Sequence, residues 1–300
     1  MPASVIDQVV RLHRAQLAGI VELGGVRKTM ALYEQARSEI EAKLAVLRRA
    51  GEGMTFSAQH MRMILLQIND GLRSFRQDFG PELSKQARTA ADLARHHLVT
   101  AIRKLEKRYS GVEPVLQVEE ASVFQGLYRG IEPSLLNRHR TLMSAYSLPT
   151  IERVKRQLAL SLIQGENLDH VIDRVAGAGG IVDAEKWRAA RIARTEMSYS
   201  YGQVSQKCME TTAKEIPDLR KRLVSTFDNR TGEDSKQLNG QTVVVSAPFV
   251  WMKKTARGVE RVEYMAPPNR PNDRECVVPW RAGYPEPVAH PGPVTPTFPR

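Results

Sequence analysis

Apolar residues recur in steps of three and four at Val5, Val9, Leu12, Ile20 and Leu23, the spacing of one face of an α-helix. Gly24-Gly25 predicts a break. A second stripe, Val26, Met30, Tyr33, Ile40, Leu44 and Leu47, has Arg37 in its missing slot and ends at Gly51-Glu52-Gly53. A third, Met61, Ile64, Ile68, Leu72, Phe75 and Phe79, meets Gly80-Pro81, a pair that predicts one helix stopping and the next starting. The fourth runs Leu83, Ala87, Ala90, Ala94, Leu98, Ile102, Leu105 and Tyr109. Helices of this length, with short breaks, form either a self-contained bundle or an arm that docks onto helices of another chain. Periodicity alone leaves both open.

Residues 111–180 read as a helical connector, with Pro133 opening a helix through Tyr146 and Pro149 another through Ile163. A short helix follows at Leu168–Val175. Gly177-Ala178-Gly179-Gly180 marks a flexible joint, and Asp183 is the expected N-cap of a long helix carrying Trp187, Ala190, Arg194, Met197, Tyr201, Val204 and Cys208 on one face. After Pro217 the texture changes. Strand candidates are Leu223–Phe227, a β-rich run over Thr242–Val250, Val259–Tyr264 and Cys276–Val278, with the long helix as cover for such short strands. Eleven of the seventeen prolines lie from Pro248 onward. Gly283–Arg300, with six of them, predicts an extended tail. The fold class is therefore α+β, divided into long helices (1–110), connector (111–180), α+β module (181–282) and tail (283–300).

The net charge of +11 favours an anionic neighbour. The basic residues are dispersed in pairs and triplets such as Arg48-Arg49, Arg220-Lys221-Arg222 and Lys253-Lys254, which read first as solvated faces. No recognition-helix motif or stacking platform stands out. Cys208 and Cys276 alone give no disulfide framework and suit a reducing cytoplasm. Asp7, Arg11 and His13 interrupt any signal-peptide core. The run Val243–Trp251 is too short to span a bilayer, so no membrane association is expected.

Arg194 is the main anomaly, a cation on the apolar face of a helix. Such a guanidinium either snorkels outward or pairs with a carboxylate. Asp228 is the partner expected, with Glu196 as its rival, and Arg230 is expected to join the same ionic clasp between helix and sheet.

The order of these signals resembles the Mu-F-like family of phage head morphogenesis proteins. The resemblance begins at Gln164-Gly165-Glu166 and Ile172. It strengthens at Ala190 and Ile192-Ala193-Arg194-Thr195-Glu196, then continues at Phe227-Asp228, Arg230-Thr231, Leu238, Gly240 and Pro248-Phe249. It closes at Pro267-Pro268, Pro271-Asn272 and Cys276-Val277-Val278-Pro279, covering about the last third of the chain before the tail. Two positions depart from the family pattern. Ser235 stands where a histidine is usual, and the closing motif has one cysteine, Cys276, in place of two. Zinc needs about four good ligands, so no metal and no cofactor is expected. The resemblance implies a structural minor head protein, made in the host cytoplasm and placed inside the virion at the portal vertex. Its implied partners are the portal protein, other copies of itself or other head proteins, and packaged DNA through nonspecific contact.

Three other classes compete with this reading. A fold-level relation of the family to ADP-ribosyltransferases would cast Arg194 or Arg230 with Glu196 or Glu233 around NAD, on analogy alone. A nuclease would need converging carboxylates; Asp228, Glu233 and Asp234 read as turn chemistry in a Gly-containing loop. His96-His97 face apart on a helix, and no histidine-based site is visible. A nucleic-acid-binding protein unconnected with virions would need one coherent basic face. The expectation is that the chain is not an enzyme and has no catalytic residues.

Overall fold

In a computed structural model of the chain, which describes residues 5–226, 231–268 and 275–285, the protein is mostly helical with small sheets near its C-terminal end. The helices are α1 (Val5–Ala18), α2 (Arg27–Ala50), α3 (Ala58–Tyr109), α4 (Ala121–Tyr146), α5 (Leu148–Gln164), α6 (Leu168–Ala176), α7 (Ile181–Thr212) and α8 (Glu233–Leu238). The strands are β1 (Arg220–Val224), β2 (Thr242–Val244), β3 (Phe249–Thr255), β4 (Gly258–Tyr264) and β5 (Cys276–Trp280).

Contacts divide the chain into two compact units. One comprises residues 1–23, 86–133 and 194–300; the other comprises 24–85 and 134–193. The ranges of α3, α4 and α7 contribute to both, so the units cut across the sequential boundaries at 110 and 180.

The second unit is a helical bundle with its own core. Tyr33, Ile40, Leu44, Ile64, Ile68, Leu72, Phe75 and Phe79 pack with Tyr146, Val154, Leu158, Val171 and Ala189. The second and third apolar stripes thus meet each other and the later helices of this unit. Arg37, the polar residue in the stripe of α2, turns to Glu34 at 2.7 Å and to Glu41. Gly51 caps α2, and Gly53 has φ of 73°. α6 begins where the Asn167 side chain accepts the Asp169 N–H at 2.8 Å.

Several expected breaks are absent. Gly24-Gly25 does not end the first helix; a π-helical turn, Gly19–Val26, joins α1 to α2. Gly80-Pro81 lies inside α3, where Phe79 and Leu83 are fully buried on either side of the proline. Tertiary burial outweighs the local cost of the missing N–H. Pro133 is likewise interior to α4, whereas Pro149 opens α5 as expected. The buried face of α1 is also rotated from the predicted one. Ile6 and Val10 are fully buried, while Leu12 is exposed. α7 starts at Ile181, so Asp183 lies in its first turn, where its carboxylate accepts the Gly179 N–H at 3.1 Å.

In the first unit, β1 is the centre of an antiparallel sheet of order β2-β1-β5, and β3 and β4 form a separate hairpin. The expected run Thr242–Val250 is divided at Val245–Pro248 between the two sheets. Val224, Cys276 and Val278 share one sheet face and pack with Ile6 and Val10 of α1 and Leu105 of α3. α1 is a sheet cover that the sequence pattern did not reveal. The opposite face carries Lys221 and Leu223, both fully buried, as strand alternation requires. Lys221 and Arg222 are therefore not on a solvated face.

Tyr284, expected in the tail, belongs to the α1–sheet core. Residues 286–300 of that tail lie outside the described residues.

Candidate functional site

Arg194 sits half-buried in α7, and its planar fork closes on Glu22 of the π-helical turn, Nε to Oε1 at 2.6 Å and a terminal nitrogen to Oε2 at 2.9 Å. Two parallel charge-assisted bonds are the strongest form of this pairing. The sequence pattern does not point to Glu22 as the partner. Asp228 and Arg230, proposed for the clasp, lie outside the described residues, as does Asn272. Glu196, the named rival, is 1% exposed two residues further along α7.

The other motif residues that are described occupy interior or turn positions. Thr195 is half-buried on α7. Thr231 donates its hydroxyl to the Thr226 carbonyl. Leu238 ends α8 and is fully buried. Gly240 has φ of 83°, a conformation that L side chains rarely adopt, and its N–H reaches the Leu223 carbonyl at 2.8 Å. The adjacent Gln241 side chain brackets Val250, donating to its carbonyl at 2.9 Å and accepting its N–H at 2.8 Å. Cys276 opens β5 and is buried, its thiol pushed up by desolvation. The Cys208 thiol is pushed up to about 12 by the same cause, so both are thiols rather than thiolates at neutral pH. Glu233 and Asp234 are on α8, a helix and not the expected loop; Glu233 is exposed, while Asp234 and Ser235 are buried.

A buried cluster lies elsewhere in the first unit. The Tyr201 hydroxyl is 3.1 Å from His13 Nδ1 and 3.0 Å from His97 Nδ1, and His97 Nε2 meets the Gln16 carbonyl oxygen. With that oxygen toward the ring, His97 carries its proton on Nε2. Its Nδ1 then accepts from Tyr201, and His13 Nδ1 donates to the phenol oxygen. Desolvation, followed by the charge of His97 and of Arg14, pushes His13 down to about 3. Desolvation and then His96 push His97 down to about 4. Desolvation holds Tyr201 well above its usual value. All three are neutral near pH 7.

A cavity of about 30 Å³ lies beside this cluster, with Val9, His13, Gln16, His97, Lys104, Ser205 and Val278 among its lining residues. It has room for about one water molecule. Local spacing could not have found this cluster, because Tyr201 is 188 residues from His13 and 104 from His97.

A third network fixes the C-terminal segment. Glu106 accepts from Arg281 at 2.7 Å and from Tyr284, and Arg281 also reaches Asp218 at 2.8 Å. Burial would raise the Glu106 carboxyl, but the bonds from Tyr284, Arg281 and Ser110 outweigh it and hold it below the ordinary value.

Among the described residues, no three His, Cys, Asp or Glu side chains are grouped to hold a metal ion, and no helix is long and apolar enough to cross a membrane. Comparison with protein-family models, with curated proteins and with solved structures gives no match to this chain.

Proposed function

We propose that this chain is a minor head protein of a tailed bacteriophage, a helical bundle or arm joined to a Mu-F-like α+β module. In this reading it acts at the portal vertex in head assembly and in genome packaging or release. The observation that carries the reading is the placement of the motif residues. Glu196, Leu238, Phe249 and Cys276 are buried in one compact unit, and Gly240 sets a turn that a side chain would strain. Residues used in this way hold a fold together; they do not line an open cleft. The charge of +11 supports a setting among packaged DNA. The portal protein and other head proteins, including further copies of this chain, are the partners proposed.

The test is the protein content of purified particles produced from the genome that encodes the chain. Peptides of this chain in DNA-filled heads, far fewer than those of the major capsid protein, are the expected result. Finding the chain only in the lysate, with particles free of it, overturns the reading. Release of nicotinamide from NAD by the purified protein would overturn it in favour of an enzyme.

A further inference from the structure

Lys221 is fully buried at the centre of β1, the middle strand of its sheet. Its ammonium nitrogen lies 2.9 Å from Gln206 Oε1 on α7 and 2.6 Å from the Met265 carbonyl, and it sits 4.9 Å from the centre of the Phe249 ring. No carboxylate pairs with it within 4.0 Å among the described residues, so its charge is held by neutral acceptors and an aromatic face. Burial pushes its pKa down to about 8, against a raising influence from Glu210, which leaves about a tenth of the amine neutral and nucleophilic at pH 7.

Gln206 is held as firmly as the lysine. Its amide nitrogen donates to Glu210 Oε1 at 2.9 Å and to the Val245 carbonyl at 2.8 Å, while its oxygen faces Lys221. The side chain is 5% exposed, and the adjoining Val245 and Phe249 are buried. A carboxylate thus sits on the leaving nitrogen of an amide whose carbonyl is already in contact with a desolvated amine. Bulk water, the usual competitor for such an amide, is largely excluded.

We propose that Lys221 and Gln206 form an intramolecular isopeptide bond, with Glu210 relaying the proton. In the step, Lys221 Nζ passes a proton to Gln206 Oε1 while Gln206 Nε2 passes one to Glu210, along the hydrogen bonds already present, and the freed lone pair attacks Cδ. The Nζ–Cδ bond forms, the Cδ–Nε2 bond breaks, and the nitrogen leaves with the relayed proton. The balance is one lysine ammonium plus one primary amide giving one secondary amide plus one ammonium ion, with no oxidant or other co-reactant. The product ties α7 to β1 covalently. It replaces a buried cation with a neutral amide, removing the desolvation that lowers the lysine pKa.

The experiment is intact mass spectrometry of the full chain, followed by tandem mass spectrometry of its digest. Samples are taken fresh and after prolonged incubation at about pH 9, where the amine is mostly neutral. The expected result is a mass lower by about 17 Da, the mass of one ammonia, together with a branched peptide joining residues 206 and 221. Lys221→Arg retains the cation without the nucleophile and should show neither signal. Glu210→Gln leaves both reacting groups in place and should slow the mass loss at least tenfold. A wild-type chain that keeps its full mass after the incubation overturns the proposal. So does a 17 Da loss that persists in Lys221→Arg or maps to any other residue pair.

Discussion

Arg194 and Glu22 clasp each other through two hydrogen bonds, joining the first unit's part of α7 to the turn that follows α1. Both side chains are largely shielded from water. Removing one partner strands the other as a part-buried charge, which costs more than the pair contributes when intact. Glu22→Ala is expected to destabilise the protein by about 2–3 kcal/mol, read as a lower urea midpoint with unchanged slope. Arg194→Lys keeps the charge but loses the fork, so it should lose part of the same amount. The double variant Glu22→Ala/Arg194→Met should be more stable than the sum of its single changes implies.

The histidine pair makes stability depend on pH in a set direction. His13 and His97 have folded-state values near 3 and 4, below the ordinary 6.5. The unfolded chain therefore binds more protons than the folded one once the pH drops below about 6.5. Their contribution is complete above that value and is lost progressively as the pH falls toward 4 and then 3. Each can contribute a slope of at most about 1.4 kcal/mol per pH unit. His139, pushed down to about 4 by desolvation and then Arg138, acts in the same direction. Unfolding free energies measured between pH 7 and pH 4.5 should fall with acid, and His13→Asn should flatten that fall. An equal slope in the variant would remove His13 from the account.

Much of the helical part was legible because its signal is local. The stripe from Ile64 to Phe79 buries as its spacing predicts, with Met61 partly buried at its start, since period alone decides which face turns inward. Helix ends were less legible. Gly80-Pro81 and Pro133 carry strong local stop signals, yet buried neighbours on both sides of Pro81 sustain the helix. The site was legible only in its anomaly. Arg194 advertised a buried pairing, but Glu22 lies 172 residues away and nothing in the intervening pattern links them. Lys221 was hidden for a different reason. In a basic triplet on a strand, alternation sends the middle residue to the opposite face from its neighbours, and the triplet read as solvated only without knowledge of what covers each face.

The segment ending at Pro285 should stabilise the fold through Tyr284. Its ring packs in the core of α1 and the sheet, and its hydroxyl donates to Glu106. Tyr284→Phe removes one hydrogen bond to a charged group and should cost about 1.5–3 kcal/mol. Tyr284→Ala also opens a cavity and should cost about 3–5 kcal/mol. Thermal denaturation of the two variants against wild type checks the order. If Tyr284→Ala melts with the wild type, the segment is not part of the core.

Gly71 gives the sharpest test of the helical unit, because two principles predict opposite signs there. Glycine inside a helix is worse than alanine by about 1 kcal/mol, so Gly71→Ala in α3 would ordinarily stabilise. A methyl at this position, however, would meet Ile40 of α2, whose Cδ1 lies 2.6 Å from where the new carbon would stand, whose Cγ1 lies closer still, and whose side chain is fully buried. Overpacking of a closed core costs about 1–3 kcal/mol, enough to reverse the sign. Gly71→Ala should therefore lower the urea midpoint. Trimming the opposing side chain past both clashing carbons separates the causes: Gly71→Ala combined with Ile40→Ala should lose less than the two single changes summed, although Ile40→Ala alone destabilises. Strictly additive losses in the double variant would mean that α2 and α3 do not meet at this pair.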